Sequence, residues 1–227
     1  MAMAKKARGI SSNPRVSKRR DALETQARLL DAAGRLFAAK GFDETSIREI
    51  CLAAGVNVAA VRHHFGNKEG LYRAVVVRSH QGFIEQDPLP RFESGDDPAV
   101  ALAGAIEMML RIVLVRRGKH PYAGRLISGE LRSPTAALDE LIENVMKPLR
   151  SELERIVAAL LGPGSAPRLR GQCTNFVIGL CVFHDLGKEA LKRFGYPPPE
   201  RAADVPKLAR LITQFALNGI RGFASAA

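Results

Sequence analysis

"AGVNVAAVRHHFGNKEG", residues 54–70, is the stretch on which the fold turns. Gly55-Val56-Asn57 reads as a tight turn: glycine closes a helix through left-handed backbone, and Asn57 can accept from the first amides of the next one. About two turns of helix follow, to about His64. Val61 and Phe65 lie i, i+4 on one face with Val58 at its edge, while Ala59, Ala60, Arg62 and His63 project the other way and His64 flanks them. A face that is small and then basic suits a DNA major groove, because small residues let the backbone approach while guanidinium and imidazole groups meet phosphates and base edges. Asn67 can cap a fourth helix starting at Lys68.

Upstream, "DETSIREICLAAG" (43–55) holds Ser46-x-x-Glu49, a capping box, with Ile47, Ile50, Cys51 and Ala54 at helical spacing. Two short helices joined by a glycine turn make a helix-turn-helix. Before them Leu23, Ala27, Leu30, Gly34 and Phe37 form the stripe of a leading helix that Gly41 stops, with Lys40 in its last turn. Residues 1–20 form a basic flexible arm with Lys5, Lys6, Arg8, Arg15, Lys18, Arg19 and Arg20 and no acid until Asp21. Those seven bases are most of the formal net charge of +11 and point to a polyanion, nucleic acid before an acidic membrane surface. A disordered solubilising tail is the plainer alternative.

The 227 residues are 46% hydrophobic, which excludes wholesale disorder, and the lack of Trp beside abundant Ala, Leu, Arg and Glu favours helix. Three cysteines, none in a CxxC, suit reduced thiols, and the N-terminus lacks the apolar core of a signal peptide, so a cytoplasmic location is expected. The greasy run Val100–Val115 carries Glu107 and Arg111 and is too short for a bilayer, so no membrane association is expected. Residues 87–98 read as a loop; helices are expected near 98–117, 134–161, 168–193 and 206–223, with a shorter one between Tyr122 and Leu131. Ser133 and Pro134 supply a cap and first-turn proline for the second of these. No alternating strand pattern or internal repeat is present.

One late stripe holds Cys173, Val177, Leu180, His184, Gly187 and Leu191; another holds Leu208, Leu211, Ile212, Phe215, Gly219 and Phe223. Gly187 and Gly219 would permit close helix approach. The two helices can pack on their two-fold mates as a four-helix bundle, or face their own core.

"RLLDAAGRLFAAKGFDETSIREICLAAGVNVAAVRHHFGNKEGLY", residues 28–72, resembles block by block the DNA-binding domain of the TetR family of bacterial transcriptional regulators. "SGELRSPTAALDELIENVMKPL" and "LITQFALNGIRGF" are similar to the C-terminal domain of its CerR-like (CecR) branch. The resemblance implies an all-α fold of about nine helices: a three-helix DNA-binding domain over 21–70, then a helical effector-binding and dimerisation domain over 71–227. It implies a homodimer that represses from a palindromic double-stranded operator and is released by a small-molecule effector. Val58, Ala59, Ala60, Arg62 and His63 then fall on base-facing positions, and Thr45, His64 and Lys68 on phosphate-contacting ones. Val177, Leu180, His184, Leu211, Phe215, Gly219 and Phe223 fall at the dimer interface. The family commonly has Tyr where Arg62 stands, and the branch has Tyr where His63 stands, so the operator sequence is left open.

Met108, Arg111 and His184 are candidate effector contacts. Against this, Arg111 at i+4 from Glu107 suits a surface ion pair, and Met108 and Met109 suit ordinary core packing. Cys181 and His184 are i, i+3 but lack a third ligand, so no metal site is read there; His184-Asp185 has no nucleophile beside it. No catalytic residue, cofactor or enzymatic activity is expected. Two rivals remain: a sequence-independent architectural nucleic-acid-binding protein, and an enzyme on a borrowed scaffold.

Overall fold

The computed structural model describes residues 14–86, 91–115 and 122–224, with side chains described for 19–79, 91–115 and 122–224. Every regular element among them is helical: α1 Pro14–Lys40, α2 Ile47–Ala54, α3 Val58–Phe65, α4 Lys68–Gln86, α5 Pro98–Leu114, α6 Ala123–Arg132, α7 Ala136–Leu141, α8 Lys147–Leu161, α9 Pro167–Leu186, α10 Lys188–Arg193 and α11 Val205–Ala224. No helix of the described residues is long and apolar enough to cross a membrane.

Local chemistry accounts for the boundaries. Ser46 and Glu49 close the capping box of α2, each side chain meeting the other's backbone amide at 3.2 and 2.9 Å. At the far end Val56 N–H donates to Cys51 O and Gly55 N–H to Leu52 O with Gly55 at φ +63°, a Schellman close that turns the chain into α3. Asn57 Oδ1 accepts from Ala59 N at 2.9 Å, and Asn67 Oδ1 from Gly70 N at 2.8 Å. Between α7 and α8 the residues Ile142–Met146 form a π turn. Pro148 has no N–H to give Asn144 and its ring crowds that carbonyl, which the wider turn relieves. The expected helix over 134–161 therefore runs unbroken from Ala136 but changes pitch at Ile142–Met146, and its cap is Thr135, which accepts from Ala137 N at 3.1 Å, rather than Ser133. The expected helix over 168–193 breaks at Gly187, where a Cβ would lie 2.9 Å from the Phe183 carbonyl. Gly187 thus ends α9 instead of admitting a neighbouring helix.

Two apolar cores form, and chain order does not divide them. The first joins Leu29, Ala33 and Phe37 of α1, Ile50, Cys51 and Ala54 of α2, Val61 of α3 and Leu71, Tyr72, Val75 and Val76 of α4 to Tyr122, Leu126, Ala137 and Leu141. It therefore reaches beyond residue 70, where sequence placed a boundary, into α6 and α7. The second packs Leu102, Ile106 and Leu110 of α5 with Ile156 and Val157 of α8, Val177 and Cys181 of α9 and Ile212, Ala216 and Ile220 of α11. The stripe expected on α1 is corrected at its start: Leu23 is 57% exposed and Ala27 exposed, and the core begins at Leu29. The arm expected over 1–20 lies outside the described residues up to residue 13, and from Pro14 the chain is already helical.

Candidate nucleic-acid interface

α3 is anchored as its spacing requires. Val61 is buried, Phe65 packs half-buried on the first core, and the opposite side stays open: Val58, Ala59, Arg62 and His63 are exposed. Ala60, expected on the free face, leans partly into the core. Among the described residues no hydrogen bond or ion pair engages the Arg62 or His63 side chain, and the exposed guanidinium can meet an external acceptor. The His63 and His64 rings meet edge-on at 4.8 Å, and His64 is half-buried beside Phe65.

The expected phosphate contacts divide. Lys68 opens α4, and its ammonium donates to Asp43 O at 3.2 Å and sits 4.5 Å from the centre of the Phe42 ring. The residue itself stands at the start of α4, where free amides favour an anion. Thr45 is different: it is 1% exposed, and its hydroxyl donates to Gly41 O at 2.7 Å. Its side chain braces the turn before α2 and does not reach solvent, so the expected phosphate contact through it is corrected. Glu49 is held down to about 2 by its hydrogen bond from Lys40 at 2.6 Å and by the Ser46 donors, so the cap of α2 stays ionised.

α4 carries this head onto the rest of the molecule. Tyr72 donates its hydroxyl to Glu130 Oε1 at 2.7 Å, and Thr135 supplies its amide and its hydroxyl to the same carboxylate, each at 3.0 Å. Glu130 is fully buried, the one such carboxylate among the described residues. Burial first, then the carboxylate, pushes the Tyr72 phenol above its usual range. Arg73 Nε donates to Glu140 Oε1 at 2.8 Å, tying α4 to α7. Tyr122 lays its ring on α1 at Gly34, where a Cβ would come within 2.3 Å of it. Sequence reasoning missed Glu130 and the Gly34–Tyr122 contact. The one available signal was a lone acid, Glu130, in the otherwise basic and apolar run 123–132.

The candidate effector residues do not converge. Met108 is buried against α8, His184 lines a groove between α9 and α11, and Arg111 pairs with Glu107 at 2.5 Å. No group of three or more metal-ligating side chains occurs among the described residues. Burial lowers the His184 imidazole and pushes Cys181 up to about 12.

The groove between α9 and α11, about 630 Å³, is strongly apolar and open. Phe176, Phe183, Phe215 and Phe223 are all exposed along it, as are Gly179 and Gly219, beside which nothing lies within 4 Å, and Leu211 is exposed one turn before Phe215 on α11. Val177 is 2% exposed, packing in the second core at the floor of the groove, and Ile212 is buried in the same core. Phe176 and Phe183 stand exposed along the same groove, which His184 lines half-buried.

Residues 29–75 match the model of the bacterial regulatory proteins of the tetR family, and residues 98–220 that of the C-terminal domain of the HTH-type transcriptional dual regulator CecR. The chain belongs to the TetR family, on its CecR branch. The CecR dual regulator of Shigella flexneri is 32% identical over 177 residues, 74% of this chain and 78% of that protein. A tetR-family regulatory protein from Rhodococcus RHA1 superposes with TM-score 0.62 at 20% identity, over 86% of this chain and 96% of that one. The transcriptional regulator FadR of Bacillus subtilis, solved with stearoyl-CoA, gives 0.60 at 18%, over 85% and 98%. The regulator thus has the expected helix-turn-helix head and helical C-terminal body, and it is a DNA-binding transcriptional regulator.

Proposed function

We propose that the regulator binds a palindromic operator as a homodimer, represses from it, and is released by a small-molecule effector. The free side of α3 carries this reading: Ala59, Arg62 and His63 face outward on a helix anchored at Val61. Arg62 fits a guanine edge bidentately, worth about 1–3 kcal/mol of discrimination, and Lys68 and His64 flank it as phosphate contacts. The apolar groove of α9 and α11 supports pairing of two copies through Leu180, Leu211, Phe215, Gly219 and Phe223, joined by Phe176 and Phe183. A dimer sets two α3 helices about 34–36 Å apart for successive major grooves. An effector that prefers another spacing lowers DNA affinity, and by linkage DNA lowers effector affinity equally. α4 is the lever, because it packs on α1 and α3 and, through Tyr72 and Arg73, on α6 and α7 as well. Repression is the simplest outcome of operator occupancy; the name dual regulator carried by the Shigella relative fits activation at other sites too.

The test is binding to DNA upstream of the protein's own gene and to a scrambled duplex at two salt concentrations. A preference for the upstream fragment that persists at high salt supports the proposal, and parallel salt slopes without preference favour the architectural reading. Arg62→Ala should weaken specific binding more than random-duplex binding; equal loss would make Arg62 a phosphate contact alone.

A further inference from the structure

α1 is longer than its role in the head requires. It starts at Pro14, whereas the tetR-family match starts at residue 29 and the first core begins at Leu29. Residues 14–28 thus add roughly 22 Å of helix at 1.5 Å per residue. From Arg19 to Arg28 no residue is buried, and Arg19 and Arg20 are exposed. Ala22, Thr25 and Gln26 are only half-buried, so this length of helix turns most of its surface to solvent, where an external partner can reach it. Its composition selects the partner. Residues 14–28 carry Arg15, Lys18, Arg19, Arg20 and Arg28 against Asp21 and Glu24, Arg20 pairing with Glu24 at 3.8 Å, and Arg15, Lys18 and Arg19 occupy i, i+3 and i+4 of the helix. The exit point selects the place: the Arg28 guanidinium comes 3.9 Å from where a Cβ on Gly55 would stand, at the turn between α2 and α3.

We propose that the α1 extension is a second, sequence-independent DNA-binding element, gripping phosphates that flank the half-site entered by α3. This rests on the operator reading above. The extension adds affinity through counterion release and lengthens the protected DNA, while α3 retains the choice of sequence.

The experiment uses the full chain carrying R15Q/K18Q/R19Q/R20Q, since glutamine keeps helix propensity close to that of the bases it replaces. Dissociation constants are measured by fluorescence anisotropy from 50 to 200 mM salt. The duplexes are a genomic fragment that the wild type selects, the same site trimmed to its bare palindrome, and a scrambled control. On the flanked site the log–log salt slope should flatten by about two to three and a half units for each chain of the bound dimer, at about 0.9 per phosphate released. Affinity at the low-salt end should fall about ten- to a hundredfold. The preference for operator over scrambled DNA should hold, and the two proteins should coincide on the trimmed site. Slopes agreeing within half a unit on the flanked site would overturn the proposal, as would a tenfold loss of preference in the variant. A wild type that selects no genomic fragment defeats the operator reading itself, whereas equal slopes in a still-selective variant defeat only the extension.

Discussion

Tyr72→Phe removes a single oxygen from the joint between head and body, and its cost can be worked from the geometry. The Tyr72 ring packs at 4.9 Å from Phe37, edge-on, and 5.0 Å from Phe42, and phenylalanine keeps both contacts. What disappears is the 2.7 Å hydrogen bond to Glu130, a carboxylate with no exposure and no cation beside it among the described residues. The Thr135 amide and hydroxyl remain as donors. A hydrogen bond to a charged group contributes about 1.5–3 kcal/mol, so a loss near 2 kcal/mol is expected. For a chain of this size that lowers Tm by about 4–8 °C. Urea and thermal unfolding at fixed protein concentration measure it, because the proposed dimerisation would make stability concentration-dependent. A cycle with Glu130→Gln isolates the pair, with a coupling of at least about 1 kcal/mol expected. A Tyr72→Phe variant within 0.5 kcal/mol of the parent would show that this bond does not hold the joint.

Other outcomes follow from the same contacts. Gly34→Val should force the Tyr122 ring off α1 and cost about 1–3 kcal/mol by overpacking, read as a lowered urea midpoint; an unchanged midpoint would mean that the ring moves freely. Burial raises the phenols of Tyr72 and Tyr122, so both stay protonated in the folded protein as pH climbs past about 10, where unfolded tyrosines ionise. The unfolded chain then binds fewer protons than the folded one, and stability should fall with rising pH in that window; a flat profile from pH 9 to 11 would contradict it. All three cysteines are buried and burial raises each thiol, so the native protein should give no fast-reacting equivalent with a thiol reagent at pH 8, and all three after denaturation. Phe215→Asp and Phe223→Asp should each yield monomers by light scattering, and an intact dimer in both would move the interface off α11.

The head was legible because its signals are local. Ser46 with Glu49, the left-handed Gly55, Asn57 and Asn67 each act within three or four residues, and each sits where the sequence placed it. Packing partners were less legible. Spacing says which residues share a face but not which neighbour covers that face. α9 is apolar on two sides, through Phe176, Val177, Ile178, Leu180, Cys181 and Phe183, so a turn of about 100° per residue exchanges inside for outside without leaving a trace in the pattern. α1 shows the same ambiguity, with Leu23 and Ala27 in phase with the core yet beyond its edge. Thr45 was misplaced because a threonine before a helix can hold a phosphate or its own turn, and only the position of the Gly41 carbonyl decides. Glu130 answers to Tyr72, 58 residues earlier, and no pattern within a helix reports that distance.

The first core has a practical consequence for anyone who would graft this reading head onto another sensor. The tetR-family match ends at residue 75, which suggests a convenient cut. Severed there, Phe37, Leu71 and Val75 would lose Tyr122, Leu126 and Leu141, and Glu130 would leave with the discarded half. A working transplant has to carry α6 and α7, which lie downstream of α5, so the exchangeable unit in this regulator is a set of contacts and not a span of chain.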